Sequence, residues 1–462
     1  MSVAPAVPRR ILLVGGGGRE HALAWRLAGE EGVEEILAVP GSAALATVPG
    51  VRVDPAVIAT DPAAVAAAAR SFAADLVLVG PEAPLAAGVA DAVTGLGIPV
   101  FGPSAAAARI ESSKAFCHAI GEAAGIPMAR ARPFGALAPA RTFARSLAEL
   151  GDGVVIKADG LAAGKGVWVC DDAAAADEAL GAVFADGDDP AGAARVVVEE
   201  RLHGPEASVI ALCDGRAALA LPAARDHKRL GDGDTGPNTG GMGACSPLPD
   251  LDDRLLAEVV ARFHRPALAE LARRGLPFRG ALYAGLILTA DRGPVLLEFN
   301  ARLGDPETQA TLPRVAVPLA PVFLAAARGN LVPDAGAPRF TGDVLPATPA
   351  AAVAIVLATR DYPAAPSAGD AISGLDEAAA TGALVFHAGT RLAADGGWET
   401  DGGRVLAVVG CGPDLAGARA SAERAADLVG FAGLRRRHDI GAGVPATAGA
   451  GAAAPTTVGA NQ

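Results

Sequence analysis

Lysine is scarce in this chain. Of the 39 lysines and arginines in 462 residues only four are lysine: Lys114, Lys157, Lys165 and Lys228. Arginine therefore meets almost all of the surface charge, and four ammonium groups confined to positions 114–228 mark places where a compact cation is wanted, with chance clustering as the alternative. A basic excess is also missing. The formal net charge of −12 excludes a general nucleic-acid binder, which would have to neutralise a phosphate backbone, but leaves room for a small phosphorylated substrate held by a few local cations. Cysteine is sparse and odd in number (Cys117, Cys170, Cys213, Cys245, Cys411), with no pair at CxxC spacing. That argues against a disulfide framework or a zinc site and for a reducing cytoplasm. No apolar run reaches membrane-spanning length, so no membrane association is expected. The opening "PRRILLVGGGGRE" has only four apolar residues before its glycines, too few for a secretory core. Aromatics make up 4% of the chain, against 51% hydrophobic overall, and much of the apolar content is alanine.

The length suits several domains, each with its own core. "ILLV" (11–14) is a short buried strand, "GGGG" a turn, and "REHALAWRLA" a helix with Leu23 and Leu27 four apart. As a dinucleotide fingerprint the turn is incomplete, because its third position is Glu20. Strand and helix alternate again through "DLVLVGPEAPLAAGVADAV" and "IPVFGPS", which predicts a doubly wound parallel sheet over 9–108. Ligands of such sheets lie beyond the strand C-termini, here near Gly17, Gly18 and Glu82. A helix is expected over 109–126, carrying Lys114. "VVIKADGLAAGKGVWV" (154–169) fails as a P-loop: six residues before Lys165 stands Asp159 instead of glycine, and Gly166 follows where a hydroxyl is needed. Its β-branched flanks make it two antiparallel strands joined by a glycine-rich loop. Such a loop can fold over phosphates, since glycine admits close backbone approach, although standing alone it would be an ordinary hairpin.

Further on, "RVVVEERLHGPEASVIALCDG" (195–215) is a strand, a connector and a second strand. The polar, glycine-dense 225–244 is a long loop of the kind that is functional or disordered. A helix over 251–274 leads to a hairpin over 281–300. A linker near 331–346 precedes an α+β unit over 335–440, with strands near 351–358 and 404–410 and a helix near 415–429. The Ala/Gly/Pro/Thr tail, 441–462, is expected to be disordered. The remaining divisions are 109–195 and 196–330, the two halves of a central unit.

The chemistry concentrates at "VLLEFNARLGDPE". Residues two apart share a strand face, so Glu298 and Asn300 point together, opposite Phe299. A carboxylate beside an amide oxygen suits Mg2+ or Mn2+, and Arg302 joins that face if the strand continues, adding a cation for phosphoryl oxygens. In "VVVEERLHGPE" an apolar strand ends in acids that alone would be solvated. With lysines, a glycine loop and a metal pair, they describe an ATP site.

The order Lys114, Lys157, glycine loop, "VEERLHGPE", "EFNARLGDPE" resembles the ATP-grasp superfamily. More closely, "GGGGREHALAW", "VGPEAPLAAGVAD", "KADGLAAGKGV", "DHKRLGDGDTGPNTGGMGA" and "NARLGDPETQ", with "GALVFHAGT" and "GGRVLAVVG" near the end, are similar to the phosphoribosylamine–glycine ligases over roughly residues 9–440. The resemblance implies a central ATP-grasp fold of two α+β lobes, small (109–195, with the glycine-rich 158–166 as a lid) and large (196–330, with the metal site). It implies ATP as co-substrate, Mg2+ or Mn2+, glycine and 5-phosphoribosylamine as substrates, and a monomer. The glycine carboxylate is phosphorylated by ATP, and the amine then displaces phosphate to give glycinamide ribonucleotide, in de novo purine synthesis. Lys114, Lys157, Gly160, Gly164, Lys165 and Gly166 would contact or cover the ATP phosphates. Glu199 and the Leu202 backbone would hold adenine, and Glu206 ribose. Glu298 and Asn300 would bind metal, with Arg302 steadying the acyl phosphate. Gly17, Gly18, Glu82, Asp226 and Asp305 would serve the amine substrates, with Arg302, Lys157 and Asp226 taking part in catalysis. His227 and Lys228 would serve there or order the loop. Two departures stand out. "LYAGLILTA" lacks the acid that many ATP-grasp enzymes carry on the strand before Glu-x-Asn. "ATRDYP" replaces the glycine pair usual before Tyr-Pro. A bicarbonate-dependent ATP-grasp carboxylase, a non-catalytic nucleotide sensor and a nicotinamide dehydrogenase are the competing readings.

Overall fold

The computed structural model describes residues 6–160, 166–185, 187, 195–331 and 342–443. Gly164, Lys165, most of the expected linker and the tail from 444 lie outside them.

The first unit is a five-stranded, all-parallel sheet in the order Val51–Val53, Glu35–Pro40, Arg10–Gly15, Leu76–Val79, Val100–Phe101. Ile11 to Val14 are fully buried, as a strand covered on both faces requires. Helix Gly18–Ala28 follows the glycine turn. Glu20 explains why this is no dinucleotide site. Its Oε2 accepts from Gly17 N at 2.8 Å, and a Cβ placed on Gly80 would come 2.1 Å from its Oε1. The chain's own carboxylate thus occupies the helix N-terminus that would otherwise attract a pyrophosphate.

The small lobe is an antiparallel sheet ordered Ala131–Phe134, Val196–Glu200, Val154–Ala158, Val167–Cys170, with its own core under helices Leu137–Ala148 and Ala173–Val183. The expected hairpin forms, Lys157 opposite Val167. The large lobe is ordered Ala218–Ala220, Glu206–Asp214, Arg279–Thr289, Gly293–Asn300. Strand Val196–Glu200 lies inside the small-lobe sheet, so that lobe extends past 195.

Two expectations change. The helix over 109–126 is two helices, Ala105–Ser112 and Lys114–Ala123, because Ser113 turns extended and its hydroxyl caps Phe116 N at 3.1 Å. The segment 225–244 is no structureless loop. Strands Arg225–Asp226 and Gly243–Ser246 join Ala351–Ala358, Arg404–Gly412 and Leu384–His387 in one sheet, and Arg229–Gly231 pairs with Thr235–Asn238 between them. The C-terminal unit therefore shares its sheet with the segment nearest the candidate site, across the division expected at 330–335. The helix expected over 251–274 is interrupted by a π-turn at Val260–His264. Among the described residues no helix is long and apolar enough to cross a membrane.

Candidate active site

The site is built around strand Gly293–Asn300. Glu298 faces Gly285 on the neighbouring strand, where a Cβ would stand 3.3 Å from Glu298 Cγ, so glycine leaves room for the carboxylate. Phe299 points away, fully buried against His264. The register then slips, Gly285 pairing Glu298 but Leu286 pairing Leu296, so Leu297 bulges. Its carbonyl accepts from Lys157 Nζ at 2.8 Å.

Three of the four lysines meet here. Lys114 Nζ lies 3.1 Å from Glu298 Oε2, Lys157 Nζ 2.7 Å from Glu199 Oε2 and Lys228 Nζ 2.7 Å from Glu206 Oε2. Lys114 holds the Glu298 carboxyl far below the usual range against the opposing effect of burial, with Lys228 and Lys157 adding to it. Glu298 in turn raises Lys114. Burial opposes the Lys228 charge, but Glu206 and Tyr283 outweigh it and the ammonium is held well above its ordinary value. Asp159, at the start of the glycine loop, accepts from Ser113 Oγ and Ala115 N, both at 3.1 Å, and so ties that loop to the helix bearing Lys114. Gly160 adopts φ +125°, and the Gly166 carbonyl accepts from Ala158 N.

Arg302 comes to the site by a route different from the one expected. The strand ends at Asn300, so alternation does not place it. Glu111 does: its Oε2 accepts from Ala301 N at 2.8 Å and its Oε1 lies 3.1 Å from Arg302 Nη2. Glu82 Oε2 is 3.5 Å from Arg302 Nε, which is buried with no hydrogen-bond acceptor among the described residues. Burial works against the guanidinium charge, but Glu111 and Glu82 more than offset it. Burial likewise raises Glu111, while Arg302 keeps Glu82 below its ordinary value despite burial.

Other expected residues fall nearby with different occupations. Both Glu199 oxygens are taken, one by Lys157 and one by His118 Nε2 at 2.9 Å, so the Glu199 side chain is committed inside the lobe. Leu202 lies on the connector between strands Val196–Glu200 and Glu206–Asp214. Gly17 N is capped by Glu20, and Gly18 opens its helix beside Gln309 and Ala388. Asp305 accepts from Gln309 Nε2 at 2.7 Å and pairs with Arg404 Nη2 at 3.1 Å. Asp226 Oδ1 is buried without a partner among the described residues, and its carboxyl is pushed well up by burial and then by Glu307, with Lys228 opposing. His227 orders the chain: Gly441 N donates to its Nε2, and burial with Arg437 lowers it to about 4.

Glu298, held ionised, and the buried Asn300 amide are hard donors. Among the described residues no group of three His, Cys, Asp or Glu could hold a metal. A carboxylate beside an amide oxygen fits a Mg2+-type ion.

Sequence reasoning missed His118, Glu111, Arg404 and a buried cluster in which Ser208 Oγ bonds Tyr283 Oη at 2.8 Å and Glu307 Oε1 at 3.0 Å. One signal was available. The chain has only two tyrosines, Tyr283 and Tyr362, and both stand here, Tyr362 Oη accepting from Gly240 N at 2.8 Å. The rarity argument that marked the lysines applies to them equally.

A glycine-turned parallel unit, a hairpin lobe set over an antiparallel sheet and a Glu-x-Asn strand ringed by lysines define an ATP-grasp protein. A Campylobacter jejuni biotin carboxylase in a β,γ-ATP complex shares this fold, with TM-score 0.65 and 16% identity over 94% of each chain. A phosphoribosylamine–glycine ligase crystal structure from Thermotoga maritima aligns with TM-score 0.74 and 31% identity, over 93% of this chain and all of that one. Residues 9–111, 112–308 and 352–443 match the N domain, ATP-grasp (A) domain and C domain of phosphoribosylglycinamide synthetase. Phosphoribosylamine–glycine ligases of Streptomyces coelicolor and Phenylobacterium zucineum are 48% and 45% identical over 94% and 93% of the chain and 99% and 98% of their own lengths. The chain belongs to the phosphoribosylglycinamide synthetase family.

Proposed function

We propose that this chain is an ATP-dependent ligase that joins glycine to 5-phosphoribosylamine through glycyl phosphate, giving glycinamide ribonucleotide, ADP and phosphate in de novo purine synthesis. The observation that carries the reading is the Lys114–Glu298 ion pair at 3.1 Å beside Lys157 on the Leu297 carbonyl, with Lys228 also acting on the Glu298 charge and Glu111 holding Arg302 at the end of the same strand. Such a cationic, carboxylate-centred pocket suits a metal-bound triphosphate whose γ-phosphoryl group is transferred.

A carboxylate is a poor acceptor for an amine, and phosphorylation gives it a leaving group. The glycine carboxylate attacks the γ-phosphorus and ADP leaves. Lys114 and Lys157 bind ATP phosphates, with Gly160, Gly164, Lys165 and Gly166 covering them. The Leu202 backbone holds adenine; Glu199 acts behind it by fixing Lys157, and Glu206 meets ribose. The free Nε–H of Arg302 is offered to the transferring phosphoryl and acyl phosphate oxygens. Glu298 and Asn300 would hold Mg2+ or Mn2+, which supplies neutralising charge. In the second step the amine nitrogen bonds to the acyl carbon, phosphate departs, and the amine proton passes to Asp226, whose raised affinity for protons suits that role. Gly17, Gly18, Glu82 and Asp305 shape the amine-substrate side. The segment 225–246 keeps water from the acyl phosphate. A monomer at work in the cytoplasm is part of the same proposal.

ADP release is measured with ATP, Mg2+ and glycine, with and without phosphoribosylamine formed in situ from ribose 5-phosphate and ammonia. Dependence on both substrates, with glycinamide ribonucleotide identified by mass, is expected. Release that is independent of glycine rejects the substrate assignment.

Lys157→Ala removes a charge-assisted phosphate contact of about 1.5–3 kcal/mol, so the ATP Kd should rise about tenfold or more by calorimetric titration. An unchanged Kd rejects the role.

Asp226→Asn should trade activity for stability. The folded-state value of Asp226 is raised, so its stabilising, protonated form is fully present below the unfolded value, about 3.9, and is lost as pH rises through the raised one. The asparagine variant lacks that loss. Its melting temperature relative to the parent should climb as pH increases to neutrality, while kcat falls about 10²-fold or more. A stability difference that is flat with pH contradicts the assignment.

A further inference from the structure

We infer that Arg404, supplied by the C-terminal unit, is a positioning residue that sets affinity for the amine substrates and leaves ATP binding alone. This rests on the ligase reading and extends it to a part of the chain with no assigned role.

Arg404 begins strand Arg404–Gly412 and reaches out of its unit to two separate turns. Nη1 donates to Gly240 O at 2.5 Å and to Asp305 O at 2.7 Å, and Nη2 meets Asp305 Oδ2 at 3.1 Å. Tyr362, on the segment that departs from the usual glycine pair, accepts from Gly240 N on the same turn. Its ring lies against Gly403, where a Cβ would come within 2.3 Å, so glycine is needed beside Arg404. The clamped turn is itself wedged into the site. Gly241 has φ +112°, and a Cβ there would stand 2.5 Å from Pro306 and 2.7 Å from Asp226 Oδ1. Arg404 thus bolts together two segments, 240–241 and 305–306, that pack beside Asp226 Oδ1. The sheet shared by Gly243–Ser246, Ala351–Ala358 and Arg404–Gly412 makes the bolt rigid. On the other side, Lys114, Lys157, Glu199 and Glu298 are held by one another and by His118 and Leu297, all before residue 301. The two halves of the site are therefore fixed by different parts of the chain.

The test compares Arg404→Lys, Arg404→Gln, Asp305→Asn and the Arg404→Gln/Asp305→Asn pair in steady-state assays, varying ATP, glycine and phosphoribosylamine in turn. The parent enzyme's need for both amine substrates is established first; if it fails, the ligase reading fails, not this inference. Expected is a rise of about tenfold or more in KM for glycine, phosphoribosylamine or both in Arg404→Gln, with KM for ATP within about twofold and kcat at saturation falling less than KM rises. Arg404→Lys should restore part of the loss. The paired variant should be no worse than the poorer single one, because Arg404 acts through Asp305. If Arg404→Gln does not fold, Tyr362→Phe, which removes only the Gly240 contact, should show the same selective KM rise at smaller size. A KM for ATP that rises in step with the others, additive effects in the pair, or unchanged constants throughout would overturn the inference.

Discussion

Glu298→Gln is expected to lower kcat by about 10³-fold at ordinary Mg2+, since it removes the anionic donor that makes the pocket a metal site and the charge stabilisation supplied there is several kcal/mol. The electrostatics around Glu298 yield a second, separable result. The carboxylate stands among Lys114, Lys228 and Lys157, and all three favour its ionised form. Its neutral isostere leaves Lys114 without its ion-pair partner, while Lys157 and Lys228 keep Glu199 and Glu206. Metal-free ATP should then bind at least as tightly as before, while Mn2+ binding in the presence of ADP, followed by electron paramagnetic resonance, weakens. Simple loss of fold would weaken both. The pH dependence has a definite sign. The folded-state value is depressed, so the carboxylate's stabilising contribution is present above the unfolded value, about 4.3, and is lost as pH falls toward the depressed one. The glutamine variant should therefore lose less stability than the parent on acidification. Near-wild-type turnover, or an unaltered Mn2+ affinity, would remove Glu298 from the metal site.

Arg302→Lys is expected to cut kcat by about 10²–10³-fold, the cost typical of losing one donor aimed at developing charge. Lysine keeps a positive charge near Glu111 and Glu82, so most of the fold's stability should survive. It cannot present the planar fork that reaches Glu111 while leaving Nε free for the phosphoryl oxygens. Arg302→Met makes the complementary case. It removes the ion-pair partner of the buried Glu111 carboxylate, and should lower stability by about 3–5 kcal/mol. Adding Glu111→Gln should recover part of that stability and none of the activity. Denaturant melts with single-turnover formation of ADP separate the two effects. A lysine variant with wild-type kcat would assign Arg302 a purely structural role.

How far the site can be read along the chain depends on the range of the interaction that places each residue. The hairpin around Lys157 was legible because β-branched runs flanking glycine are a local signal, and its register agrees with the expectation. Glu298 and Asn300 were legible because strand alternation is local too. Strand alternation does not account for where Arg302 stands. It lies past the strand end and is brought in by Glu111, 191 positions earlier in the chain, a partner no periodicity could indicate. The segment 225–244 differs from the expected loop because its strands are only two to four residues long and rich in glycine and polar side chains, and because one of them, Gly243–Ser246, is held in its sheet by Ala351–Ala358, more than a hundred residues later. Glu199 was expected at the nucleotide, yet its carboxylate is already bound on both oxygens by Lys157 and His118.

By itself, then, the sequence determined the alternating strands and helices of the parallel unit, the glycine hairpin, the Glu-x-Asn strand and, through ordered motifs, the family. Each of these rests on spacing within a few residues or on long contiguous strings, and both survive without knowledge of what packs against them. The tertiary structure alone decided which charges meet. It brought three scarce lysines within electrostatic reach of one carboxylate, left Asp226 Oδ1 buried with no partner among the described residues, committed both oxygens of Glu199 and Asp305, and carried Arg404 and Tyr362 from the far end of the chain to the turn beside Asp226. Those outcomes follow from burial and from pairing between residues far apart in sequence. A charge's partner and its degree of desolvation, not its identity, set whether it binds, reacts or merely holds a neighbour in place.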